Sequence, residues 1–275
     1  RMLQVVREFA FEALEAGGEA VEIKRLHAGF YAALAEEAEP ELMGARTVEW
    51  MERLAREHDN FRAALGWALE NEPETALQIV AVLYRFWLRR GFQTEGRKWA
   101  RAALEKSGAK DAPVWRAKAC RGIGLLSLQQ GDYEAANLYI EESLRLSREI
   151  GDKELICYAL NSLGAIRFAE EDFSAARDLT EECLTTAEEI GDQIQISIAL
   201  NRLGEMFYQK EDYPAARQYY EKAYAIAKRE RISAALPIYA HNLASVACLS
   251  GDDEAARLYA LENLKGGEEL GHKTN

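Results

Sequence analysis

The chain has 275 residues, enough for a continuous buried core, and its 48% hydrophobic and 29% charged residues exclude a disordered polymer. Its formal net charge of −12 opposes binding to nucleic acid or to an anionic membrane surface, although residues 85–121 hold eleven Lys and Arg against three acids. No apolar run is long enough to cross a bilayer and no signal peptide is visible, so a cytoplasmic location and no membrane partner are expected.

Taken in chain order, the pattern predicts helix nearly everywhere, as five prolines among abundant Ala, Leu and Glu would suggest. An amphipathic helix spans about 2–16 and closes at Gly17-Gly18; it starts so abruptly at Arg1 that a longer parent protein is expected. A second helix covers about 19–39, ended by Pro40, and a third about 47–71, opened by Thr47. Residues 1–72 are therefore assigned to a helical segment without repeats. Pro73 begins the helix leading to Gly91, and the region 73–275 is assigned to a repeat array of period 40. Its first and most irregular member carries Trp87 and Trp99, which predict a bulky joint.

The period is read from several positions in register. Gly131-Asp132-Tyr133, Glu171-Asp172-Phe173, Glu211-Asp212-Tyr213 and Gly251-Asp252-Asp253 follow one another at 40 residues, as do Ala136, Ala176, Ala216 and Ala256. Gly124, Gly164, Gly204 and Ala244 keep the same step. Each unit contains two helices, illustrated by 153–169 and 173–190, with apolar residues three or four apart. The acidic pair between them supplies a turn and a capping oxygen, and Gly151 and Gly191 end one unit before the next begins. Such a hairpin cannot bury its apolar face alone, so a core exists only through stacking.

Leu200-x-x-Leu203-Gly204-x-x-Phe207, then Asp212-Tyr213, then Ala216-x-x-x-Tyr220-x-x-Ala223, resembles the tetratricopeptide signature more closely than HEAT or armadillo patterns. The fold class implied is all-α, a right-handed superhelix (solenoid) of tetratricopeptide-type antiparallel helix hairpins.

No catalytic constellation is found. His27, His58, His241 and His272 show no paired metal-ligand spacing, and His58-Asp59 point about 100° apart on a helix, so a helix-surface or packing role is expected. No GxSxG is present, and Cys120, Cys157, Cys183 and Cys248 lack CxxC spacing and read as buried apolar residues of a reducing compartment. Glu141-Glu142 and Glu181-Glu182 mark a solvated outer face, and Gly122-x-Gly124 is helix packing. The expectation is a non-enzyme with no catalytic residues, no metal and no cofactor.

Met2-Leu3-Gln4-Val5-Val6-Arg7-Glu8-Phe9-Ala10, His27-Ala28-Gly29-Phe30-Tyr31, Glu57-His58-Asp59-Asn60-Phe61-Arg62 and Arg85-Phe86-Trp87-Leu88-Arg89-Arg90-Gly91 together resemble bacterial STAND-class regulators. There an NB-ARC-type ATPase module and a winged helix precede a tetratricopeptide region. The resemblance implies a C-terminal sensor arm of a signal-transduction ATPase or transcriptional regulator, which binds an inducer or partner and contacts the ATPase module intramolecularly. This sequence has no GxxxxGK[ST], so ATP binding is not expected of it. The alternatives are an arm for self-assembly and a sensor of a small-molecule inducer.

In the tetratricopeptide fold the first helix of each hairpin lines the concave side. Counting from the small residue, the inward positions are Arg121, Asn161, Asn201 and His241, then Leu125, Ala165, Glu205 and Ser245, with Phe168 and Tyr208 offering pockets. An Asn carboxamide both donates and accepts, which suits a peptide backbone in the groove and equally suits a neighbouring helix. Asn ladders grip extended peptides in related 40-residue scaffolds, which is what the resemblance adds. Arg85, Arg89, Lys118 and Arg121 are expected to gather at one end of the groove, either to receive an anionic group or to pair with the acidic leading helices. A peptide or protein is the expected ligand, and nucleic acid is disfavoured.

Overall fold

The computed structural model describes residues 17–42, 46–108, 112–232 and 235–272. Among them the chain is all helix, with twelve α-helices and no strand. The helix expected over 2–16 lies outside the described residues. Contacts divide the chain into two compact units, Arg1–Gln130 and Gly131–Asn275.

The first unit contains α1 (Ala20–Glu41), α2 (Thr47–Asn71), α3 (Pro73–Arg90), α4 (Gln93–Lys106) and α5 (Pro113–Gln129). The third and fourth predicted helices begin at Thr47 and Pro73 as expected. The second does not stop before Pro40: α1 runs through it to Glu41. Pro40 has no N–H for the carbonyl four residues back and its ring crowds that turn, and the helix ends one residue beyond it. Helix α1 packs on α2 and α3, and α2 on α3 and α4, the order of contacts seen again for α3 on α4 and α5. The leading segment thus stacks like the hairpins although its sequence does not repeat.

Trp50, Trp87, Phe61 and Phe86 fill this unit, each no more than 1% exposed. Trp87 Nε1 donates to His58 Nε2 over 3.3 Å, so the imidazole is held in the unprotonated form that can accept. Burial lowers the His58 pKa, consistent with that state. His58 is a packing residue. Gly96 and Gly122 are required by close approach: a β-carbon on Gly96 would stand 2.5 Å from the Trp87 ring, and one on Gly122 would stand 3.0 Å from Tyr84.

The second unit contains α6 (Tyr133–Ile150), α7 (Lys153–Ala169), α8 (Phe173–Ile190), α9 (Gln193–Gln209), α10 (Tyr213–Arg229), α11 (Leu236–Leu249) and α12 (Asp253–His272). Hairpins α7–α8, α9–α10 and α11–α12 are the repeats, and α7 also touches α9. The acidic turn residues cap as the sequence implies. Asp132, Asp172, Asp212 and Asp252 each accept from the backbone N–H three residues on, at 3.1–3.2 Å. Asp152 and Asp192 do the same for the first helices. Each cap contributes about 1 kcal/mol. Side chains at the repeat period also clasp the next turn: Asn137 bonds Glu170, and Arg217 bonds Asp252.

Two core clusters here are Ala216, Tyr220, Leu243 and Val246, and Ala176, Leu203 and Met206, with half-buried aromatics around them. A β-carbon on Gly204 would meet the Tyr220 ring at 2.6 Å, so only glycine lets that ring lie across α9.

Candidate functional site

The inward register of the second unit leads to a cleft of about 210 Å³. Phe168 of α7 forms one wall, and Glu205, Tyr208 and Gln209 of α9 form another. Tyr220 of α10 and His241, Asn242 and Ser245 of α11 complete it. Four of the expected groove residues (Phe168, Glu205, Tyr208 and His241) therefore meet in one place, where α7 and α9 present one repeat position (Phe168, Tyr208) and α9 and α11 an earlier one (Glu205, Ser245). Tyr220 was not among the expected residues. It reads as core by period, at the place held by Ile140 and Thr180 in the preceding hairpins, and the signal was the phenol itself.

Glu205 sits at the base of the cleft, its side chain 27% exposed. Asn201 Nδ2 donates to its Oε1 at 2.8 Å, and Arg202 Nη1 stands 3.3 Å from its Oε2. Desolvation raises the Glu205 pKa, against the opposing effects of Arg202 and Asn201. Tyr220 is 2% exposed, lines the cleft, and has no hydrogen-bond partner for its hydroxyl among the described residues. Burial and the Glu205 charge raise its pKa, so it stays a neutral donor.

The two asparagines are buried, at 8% and 7% exposure. Asn161 donates to Gln195 of the next first helix, while its own carbonyl oxygen is buried without a partner. Asn201 accepts from Asn242 of α11 at 2.9 Å. Both carboxamides thus bond the neighbouring first helix, and Asn201 also orients Glu205.

In the first unit Tyr84 stands between two of the expected cations. Arg85 lies 5.1 Å from its ring centroid and Arg121, which is buried, 5.4 Å. Arg89 is solvent-accessible, with its pKa lowered by partial desolvation and by repulsion from Arg85. Lys118 is engaged by Glu39 of α1 at 2.8 Å, the pairing with the acidic leading helices that the sequence left open.

Three cysteines are buried, but Cys248 is exposed, contrary to expectation. It lies at the end of α11, where no further hairpin covers it among the described residues. Within the same limits, no group of three or more His, Cys, Asp or Glu could hold a metal ion, and no helix is long and apolar enough to cross a membrane.

Stacked helix hairpins, with a polar cleft among them in the second unit, define a helical-repeat protein. Residues 154–229 and 195–266 match the family model for the tetratricopeptide repeat, so the regular hairpins of the second unit are repeats of that type. The chain is 31% identical over 170 residues to the HTH-type transcriptional regulator Rv0890c of Mycobacterium tuberculosis. That alignment covers 59% of this chain, and the chain spans only 19% of the regulator's length. Among solved structures it resembles NprR in complex with its cognate peptide NprX, with a TM-score of 0.66 and 14% identity over 99% of this chain and 77% of that one. It also resembles BtubC from P. vanneervenii, with a TM-score of 0.59 and 22% identity over 89% of this chain and 92% of that one. At these identities the structural likeness establishes the fold.

Proposed function

We propose that the first-helix face of the repeat array binds an extended peptide or a segment of a partner protein, and that the chain is a non-catalytic sensing or scaffolding arm. The observation that carries this reading is the cleft shared by α7, α9, α10 and α11, in which polar and aromatic side chains from three successive hairpins converge. Its volume of about 210 Å³ is below the 300–1,000 Å³ usual for small-molecule pockets, so it suits one side chain of a longer ligand better than a whole metabolite. The solved relative NprR holds a peptide, which supports the same use of a similar fold. The resemblance of the leading residues to STAND-class regulators, together with the match to Rv0890c, supports placing this arm in a transcriptional regulator whose ATPase module it contacts.

The test is selection of a displayed random heptapeptide library on the full chain, followed by calorimetry of the enriched peptides. Binding is expected to weaken about tenfold or more for Tyr208→Ala and for Asn201→Ala, since losing a packed aromatic contact or a buried hydrogen bond removes interactions of this size. Absence of enrichment, or affinity indifferent to both substitutions, would remove the groove as the binding surface.

A further inference from the structure

The charge of the chain is divided unevenly between its two units. Residues 131–275 hold 27 acids against 15 Lys and Arg, while residues 1–130 hold 19 of each, so the second unit alone accounts for the net charge of −12. The cleft lies within that unit. Its lining includes the Glu205 carboxylate, the Tyr208 ring, the Phe168 ring over which Arg202 lies 5.9 Å from the centroid, and the buried Tyr220 phenol, whose hydroxyl has no partner among the described residues. A carboxylate beside an aromatic ring attracts a guanidinium or ammonium by charge-assisted hydrogen bonding and by the negative face of the ring. An anionic group would meet the opposite: an acidic unit and a carboxylate at the bottom.

The geometry points to the Glu205 cleft as a subsite for a cationic side chain, arginine or lysine, of the bound peptide. This rests on the groove reading above and adds the chemistry of the ligand to it. Glu205 supplies the counter-charge. Asn201 fixes one of its oxygens, and Arg202 reaches the other at 3.3 Å, leaving lone pairs on both for the ligand. Tyr208 flanks the cation, while the Phe168 ring carries Arg202. The Tyr220 hydroxyl, delivered through the gap that Gly204 leaves in α9, offers its oxygen as a further acceptor. Desolvation of Glu205 acts in the same direction, because a carboxylate short of water gains most from a partner that brings charge.

Three capped pentapeptides test this on the full chain: Ala-Ala-Arg-Ala-Ala, the same peptide with citrulline for arginine, and the same with glutamate. Citrulline keeps the shape and loses the charge. The arginine peptide is expected to bind about tenfold more tightly than the citrulline one, with the glutamate peptide weakest. Glu205→Gln should abolish the difference between arginine and citrulline, and Tyr220→Phe should weaken the arginine peptide about threefold. Thermal melts show whether each variant is folded. Equal binding of arginine and citrulline peptides, or a preference for arginine that survives Glu205→Gln, overturns the cationic assignment while leaving the groove standing. Failure of all three peptides to bind overturns the groove and this assignment together. Free arginine amide binding as tightly as the pentapeptide supports the cationic subsite and transfers it from a peptide to a small cation.

Discussion

Glu205, proposed above as a binding residue, illustrates how such a residue departs from what stability alone would select. Its pKa is higher in the folded chain than in the unfolded one, chiefly because burial disfavours the charged form. The folded state therefore holds the proton more tightly, so its contribution to stability is full below the unfolded value and is lost as pH rises through the folded one. Glu205→Gln keeps the oxygen that Asn201 bonds and removes the charge. The substituted chain should melt about 1–3 °C higher than the wild type at pH 7.5, with the gap closing towards pH 4. A lower melting temperature at pH 7.5 would mean that the carboxylate serves mainly as the structural partner of Arg202. His58 shows the contrasting case: an imidazole in a catalytic-looking pair that burial and the Trp87 N–H commit to packing.

At the level of elements, the turn inside each hairpin is where sequence and conformation disagree most informatively. Gly131 and Gly251 take φ of +75° and +73°, and at the same repeat position Glu171 and Glu211 are held at +62° and +60°. A side chain in that region costs about 1–2 kcal/mol, partly offset by the lower chain entropy that any non-glycine residue brings to the unfolded state. Glu171→Gly and Glu211→Gly should thus each raise stability by about 0.5–1 kcal/mol in urea denaturation, with the m-value unchanged. Loss of stability in either would show that the glutamate side chain makes contacts worth more than the backbone strain. The Asp caps, the clasping residues Asn137 and Arg217, and the ring of Tyr220 against Gly204 act at this same scale. The caps and the Tyr220 ring fix each hairpin, and Asn137 and Arg217 hold one hairpin on the next.

For the molecule as a whole, the two units differ in character. The first has the largest buried aromatics, Trp50, Trp87, Phe61 and Phe86, and balanced charge; the second has half-buried tyrosines and all of the net negative charge. A cationic peptide approaching the second unit is steered by that field, and ionic strength screens steering more than it screens contacts inside a cleft. The association rate of the arginine pentapeptide is expected to fall several-fold between about 20 and about 200 mM salt, with its dissociation rate nearly constant. Stopped-flow measurement separates the two; an association rate indifferent to salt would show that the field plays no part.

The helix class, the 40-residue step, most helix boundaries and the capping aspartates were legible in the sequence because each depends on neighbours a few residues away. The period, with the tetratricopeptide resemblance, also put Phe168, Glu205, Tyr208 and His241 on one face of the first helices, and these four line one cleft. Periodicity could not tell that α1 and α2 stack like repeats without repeating, that α1 passes Pro40, that Cys248 is left open, or that Lys118 is taken by Glu39. Nor could it show that Tyr220 crosses α9 to the cleft or that Asn161 and Asn201 reach the adjoining helix. These outcomes depend on which helix lies opposite and how closely it approaches, and that is decided by packing across tens of residues of chain.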